Sequence, residues 1–209
     1  MNCLMLRWCF SLILLFLIPP AFITSAFADS EAMNRILRQK PTLDNFDVCH
    51  SGGCADISRV SLTAAEWQQV VQEFQPVPEN AEDERSRIAN AIGLLERIIG
   101  DKIGTHNDFA GTFGAFSTPG QMDCNDEASN STTYIKLMLQ ADLIRFHELR
   151  DTKLRNFFFN GWPHTTTAIA ETSTGALYAV DSWFYDNGVP AVIIPLELWK
   201  TGWKPADFR

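Results

Sequence analysis

Apolar residues recur at helical spacing in the first two thirds of this chain and alternate in its last third. Thr63-Ala64-Ala65-Glu66 has the form of a capping box and opens a helix through Trp67, Val70, Val71 and Phe74, which Pro76 and Pro78 end. A second helix is expected from about Asn80. It carries Ile88, Ala91, Ile92, Leu95, Ile98 and Ile99 at helical spacing, with Gly100 at its end. Tyr134, Ile135, Leu137, Met138, Leu139, Ala141, Leu143 and Ile144 make a third helix apolar over most of its circumference, the pattern of a centrally buried helix. Asp123 is its expected N-cap, so Cys124 falls in the first turn.

Strands follow. Leu154 to Phe159 is one candidate. His164 to Glu171 alternates Thr165, Thr167 and Ile169 against His164, Thr166, Ala168 and Ala170, a hairpin loop spans residues 172–175, and Ala176 to Phe184 returns. After a turn at Asp186-Asn187-Gly188, a third strand runs from Val189 to Leu196, broken at Pro195. Helices followed by antiparallel strands give an α+β fold. Asp29 to Arg59 has few periodic signals and is expected to wrap the surface. Asp101 to Met122 reads as a long connection rich in Gly and Phe.

The amino terminus reads as a secretory signal peptide over residues 1–28, with Arg7, an apolar run from Leu12 to Ile18, Pro19-Pro20, and Ala26-Phe27-Ala28 before Asp29. The apolar run is short for a membrane span, although an uncleaved anchor is the competing reading. Residues 29–209 are then expected to form a single exported, periplasmic domain, divided into a helical part (29–103) and a core (104–209). The chain has net charge −8, and loss of Arg7 makes it one more negative. Without a basic tract, nucleic acid and anionic membrane surfaces are poor partners.

Cys3 and Cys9 leave with the signal, so Cys49, Cys54 and Cys124 remain. Cys49 and Cys54 flank His50-Ser51-Gly52-Gly53, a link that can close a small disulfide loop in an oxidising compartment. A metal pair assisted by His50 is the rival, short of ligands. Cys124 is left over as a free thiol or an intermolecular partner.

A thiol attacks as thiolate, so it wants a helix N-terminus, an imidazole to take its proton and a carboxylate to orient that imidazole. Cys124, His164 and Asp181 supply these in order. A four-residue loop pairs Glu171 with Ala176, which puts His164 opposite Trp183 with Asp181 as diagonal neighbour on the same face, about 7–8 Å away at the backbone. Each residue taken singly has a plainer reading: a small buried hydrophobe, a hydrogen-bonded strand residue, a turn former. Asp123, Asp126 and Glu127 oppose a neighbouring anion unless they face away or bind a cation. Gln121 and Trp162 are candidate donors to a reacting carbonyl, with turn geometry and packing as their competing explanation.

The stretch from Met122 to Ala128, the His164 strand and Tyr178-Ala179-Val180-Asp181-Ser182-Trp183-Phe184 resemble the transglutaminase-like superfamily, and the spacings resemble its bacterial cysteine-proteinase branch. The likeness covers about Gly104 to Trp203. It implies a papain-like core with Cys124 as nucleophile, His164 as general base then acid, and Asp181 as orienter. It also implies an exported hydrolase of protein or peptide amide bonds, needing no cofactor beyond a possible calcium ion. Asp123 matches the branch's Asp before the Cys, but Asn125 stands where an acidic residue usually follows, so calcium rests on Asp123, Asp126 and Glu127. Alternatives are an amine-acceptor transglutaminase, a cell-wall amidase or endopeptidase, and a degenerate binding domain presenting Trp183, Trp199 and Trp203.

Overall fold

Local chemistry sets the helix starts. In a computed structural model of the chain, which describes residues 31–113, 118–155 and 163–208, Thr63 and Glu66 form a reciprocal capping box at helix α2 (Ala64–Glu73). Asn80 caps α3 (Ala81–Ile103) through the Glu82 and Asp83 N–H groups. The end of α3 corrects the expectation at Gly100. The helix runs on to Gly104, whose φ of 82° is the left-handed cap. Gly100 serves close approach instead: a Cβ there would lie 3.0 Å from the His106 backbone nitrogen.

The segment expected to wrap the surface is built into the fold. Residues 31–38 are helical (α1), and β1 (Phe46–His50) pairs antiparallel with β2 (Asp56–Val60). Ile36, Phe46, Val48 and Val60 are buried. Three of the five β1 residues are buried, without regular alternation, because α4 (Cys124–Gln140) covers the hairpin; the period-two signal is therefore lost.

The second sheet is antiparallel with order β3-β4-β5-β6: β3 (His147–Arg155), β4 (His164–Glu171), β5 (Leu177–Asp181) and β6 (Val192–Pro195). The fold is thus α+β, with two antiparallel sheets. β3 begins earlier than Leu154 because His147 is buried against Glu84, and an irregularity between Arg150 and Lys153 hides its alternation. Residues 156–162, with the rest of that expected strand, and residues 1–30, with the signal segment, lie outside the described residues. The β4–β5 register is the expected one, with Thr167 opposite Val180 and Ala170 opposite Leu177. Both flanking strands are shorter than their sequence patterns, and Leu196 opens a short helix α5 (Leu196–Lys200). No described helix is long and apolar enough to cross a membrane.

The sheet's two faces feed different clusters. Ile169, Tyr178, Val180 and Ile193 pack with α3 and α4. Leu177, Ala179, Val192 and Ile194 pack with Trp183, Phe184, Leu196 and Trp199. Tyr134, Ile135, Leu137 and Met138 anchor α4 in the first cluster, yet Cys124 at its tip belongs to the second. The helix therefore delivers its first residue across the sheet end to the face that carries His164 and Asp181.

Candidate active site

Asp123 caps α4 through the Asn125 and Asp126 N–H groups, and Asp126 reaches back to the Asp123 N–H. The remaining oxygens of these acids have a second task. Ser51, Gly52, Gly53 and Cys54 take left-handed angles in succession (φ 71°, 83°, 60° and 59°). This turn is closed by the Cys49–Cys54 disulfide. The Gly52 N–H donates to Asp126 Oδ2 at 2.7 Å, the Cys54 N–H to Asp126 Oδ1 at 2.6 Å and the Gly53 N–H to Asp123 Oδ2 at 2.9 Å. Two turns along α4, Asn130 brackets Cys49, accepting from its N–H and donating to its carbonyl, both at 2.8 Å. The stapled turn is a donor cradle for the tip of α4. His50 is not a metal partner here, since its nitrogens face the Ser51 and Ser58 hydroxyls.

That arrangement bears on calcium. All four carboxylate oxygens of Asp123 and Asp126 accept N–H groups, and Glu127 Oε2 accepts from the Ser182 hydroxyl at 3.0 Å. These carboxylates are thus held by protein donors, while Asp123 Oδ2 and Asp126 Oδ1, with one N–H each, keep a second lone pair.

His164 and Asp181 meet as a pair. Imidazole Nε2 lies 2.7 Å from Asp181 Oδ2, both side chains are buried, and the same oxygen accepts the Trp199 indole N–H at 2.6 Å. An indole can only donate, so Asp181 Oδ2 accepts from Trp199, and a neutral imidazole sharing that carboxylate carries its proton on Nε2. Nδ1 is then a lone pair, and it is buried with no hydrogen-bond partner. Trp183 lies over the ring at a centroid distance of 4.5 Å, with Phe184 and Trp199 each at 5.5 Å. Trp183 is fixed in turn by its indole N–H to the Thr112 carbonyl and by the Phe113 ring.

Cys124 is the one free cysteine among the described residues, and it shares this aromatic cluster. Its thiol contacts the backbone N–H of Thr165, the residue after His164. Burial pushes the thiol up to about 12, with the Asp123 and Asp181 charges adding to the rise and the Thr165 N–H opposing it. Burial therefore works against the activated thiolate that a helix N-terminus and an imidazole would favour. Across pH 7 to 9, where a free cysteine (value about 8.5) becomes thiolate, native Cys124 should alkylate with iodoacetamide more slowly than a cysteine peptide. A plateau below pH 7 would contradict this burial effect.

Gln121 is buried and largely committed: its Nε2 donates to the Asn107 carbonyl at 2.7 Å, while Oε1 accepts from the Phe109 N–H and the Thr112 hydroxyl. These bonds use one of its two amide hydrogens. Trp162 lies outside the described residues. Trp183 and Trp199 are buried and Trp203 is partly buried, so they form core rather than an exposed patch.

The buried acids Glu96 and Asp108 had no sequence signal, because Asp and Glu in loops and on helices read as solvated. Glu96, Asp108 and Glu127 lie behind Asp181, tied by the Ser182 hydroxyl, the Gly188 N–H and the Met122 N–H. Asp108 Oδ2 has no donor of its own but meets the Glu127 carboxyl, so a proton held between the two acids satisfies both. Burial raises Glu96, Asp108 and Asp126 to about 7 and Glu127 well above the usual carboxyl range. The folded chain keeps protons that the unfolded chain releases above about pH 4, so raising the pH favours unfolding up to and through about 7. Melting temperature should fall between pH 5 and pH 8, by roughly 3–10 °C for a loss of order 1–3 kcal/mol. Glu127→Gln should flatten that slope, and a melting temperature that rises with pH would contradict it.

The chain matches no family model, no curated protein and no solved structure.

Proposed function

We propose that this protein is an exported thiol hydrolase of protein or peptide amide bonds, with Cys124, His164 and Asp181 as its triad on a papain-like, transglutaminase-like core. The observation that carries the reading is the His164–Asp181 bond at 2.7 Å, which leaves Nδ1 as a buried, unpartnered base beside the segment that contacts the Cys124 thiol. Because the resting group is a thiol, His164 Nδ1 takes its proton as sulfur attacks the carbonyl carbon. The negative charge that builds on the carbonyl oxygen falls at the α4 N-terminus, where the Cys124 N–H has no intrahelical acceptor. The tetrahedral adduct collapses to a thioester as the imidazolium gives its proton to the leaving amine. Water, deprotonated by the same nitrogen, then releases the acid. Asp181 holds the ring in one tautomer throughout.

An amine in place of water makes the same site a transamidase; acceptor choice depends on pocket shape and water access. Profiling peptide, amine and cell-wall fragment substrates with Cys124→Ala as control tests the proposal. Cys124-dependent release of a new carboxylate from peptides is the expected result. Turnover that survives Cys124→Ala, or none on any of the three classes, would overturn it.

A further inference from the structure

We propose that Trp199 is a positioning residue of this site, acting through Asp181; the assignment rests on His164–Asp181 being the proton-handling pair of the preceding section. Three observations carry it. The His164 and Trp199 donors converge on one oxygen, Asp181 Oδ2, at 2.7 and 2.6 Å. A terminal carboxylate torsion is broad and roughly two-fold, so a single donor leaves the group free to rock. Two donors arriving from different elements, β4 and α5, fix it.

The indole is itself held. Arg155 Nη1 donates to the Trp199 carbonyl at 2.8 Å and to the Trp203 carbonyl at 3.0 Å, and its guanidinium carbon lies 4.7 Å from the Trp199 ring centroid. Arg155 also stands directly opposite His164 in the β3–β4 register. Contacts therefore close a ring: His164 to Asp181, Asp181 to Trp199, Trp199 to Arg155, and Arg155 back across the strand pair to His164. α5 has only five residues and no side-chain cap, so this ring fixes where the indole points.

The consequence concerns the imidazole. With Asp181 pinned, His164 keeps its proton on Nε2 and its lone pair on Nδ1. A rocking carboxylate lets the ring sample the opposite tautomer, in which Nδ1 carries a proton and cannot accept one from the thiol. Trp199 thereby sets the fraction of molecules competent to start the reaction, without touching substrate.

The test replaces the N–H and keeps the volume. In the mature chain, Trp199 is exchanged for 3-benzothienylalanine, which has sulfur in place of the indole nitrogen, and in parallel Trp199→Phe is made. The readouts are the nitrogen-15 shifts of the His164 ring and the rate of Cys124 acylation by a peptidyl electrophile. The expected result is a single Nε2–H tautomer in the native protein and a mixture in both variants. Acylation falls about tenfold, as the loss of one hydrogen bond near 1.4 kcal/mol requires, while the isostere still unfolds cooperatively, with its melting temperature lower by no more than about 6 °C. If Trp199→Phe fails to fold, the isostere decides alone. An unchanged tautomer and unchanged rate in the isostere would reduce Trp199 to packing and overturn the proposal. Should Cys124 prove unreactive, the hydrolase reading fails, but the tautomer measurement still decides the role of Trp199.

Discussion

His164→Ala should lower the rate at which Cys124 is acylated by a peptidyl electrophile by about 10³-fold or more at pH 7, the scale of losing the base of a nucleophile–base pair. The expectation is large because the thiol has little reactivity of its own. Burial holds it up to about 12, so almost none is thiolate at neutral pH. In the proposed triad His164 Nδ1 is the base that changes that, and it has no competing hydrogen bond. Imidazole added to His164→Ala should restore part of the rate if the space left by the ring admits it. Asp181→Asn is a graded version: it leaves a side chain of the same size, but its amide can present a donor where His164 needs an acceptor. Intact-mass kinetics on the three proteins check the order, native fastest, then Asp181→Asn, then His164→Ala.

Asp126→Ala should destabilise the folded chain by about 3–5 kcal/mol, since it strands three N–H donors, those of Gly52, Cys54 and Asp123, two of them fully buried. Asp126→Asn should do less damage, because its carbonyl oxygen still accepts from one donor while its NH₂ group faces another. Urea unfolding measures both. The effect should reach Cys124 as well: Asp126 joins the helix tip to the disulfide-closed turn, so loosening it lets the first turn of α4 fray and expose the thiol. Native-state alkylation of Cys124 by iodoacetamide should therefore speed up in Asp126→Ala. Equal stability of Asp126→Ala and the native chain would mean that the cradle is incidental.

What the sequence disclosed and what it concealed divide along physical lines. The Asp123 cap, the Asn80 cap and the Thr63 box were readable because the interacting groups lie within three residues of each other. The His164–Asp181 pairing followed from loop length and strand parity, both local properties of one hairpin. The role of Asp123 and Asp126 as acceptors for residues 52–54 was not readable, since the donors lie about 70 positions earlier in the chain. Nor was β1, whose burial under α4 removes the alternation that marks a half-exposed strand. Gly100 resembles a terminator in the sequence, although its close neighbour is the His106 backbone, a contact that no local pattern reports. Trp199 stood out in the sequence only as one of three tryptophans that a binding surface could present. Its N–H to Asp181 depends on where α5 packs, and no spacing in the sequence reports that.

The most direct test is intact-mass analysis of the protein after exposure at pH 7 to a peptide bearing an aldehyde or vinyl sulfone in place of the scissile amide, with Cys124→Ala and His164→Ala run beside it. A triad-based thiol hydrolase gives one adduct per chain on Cys124, none in Cys124→Ala, and a rate cut by about 10³-fold in His164→Ala. Adducts that form equally fast without His164, or no Cys124 adduct with any peptide, would contradict it and leave the domain a binding module with a buried cysteine.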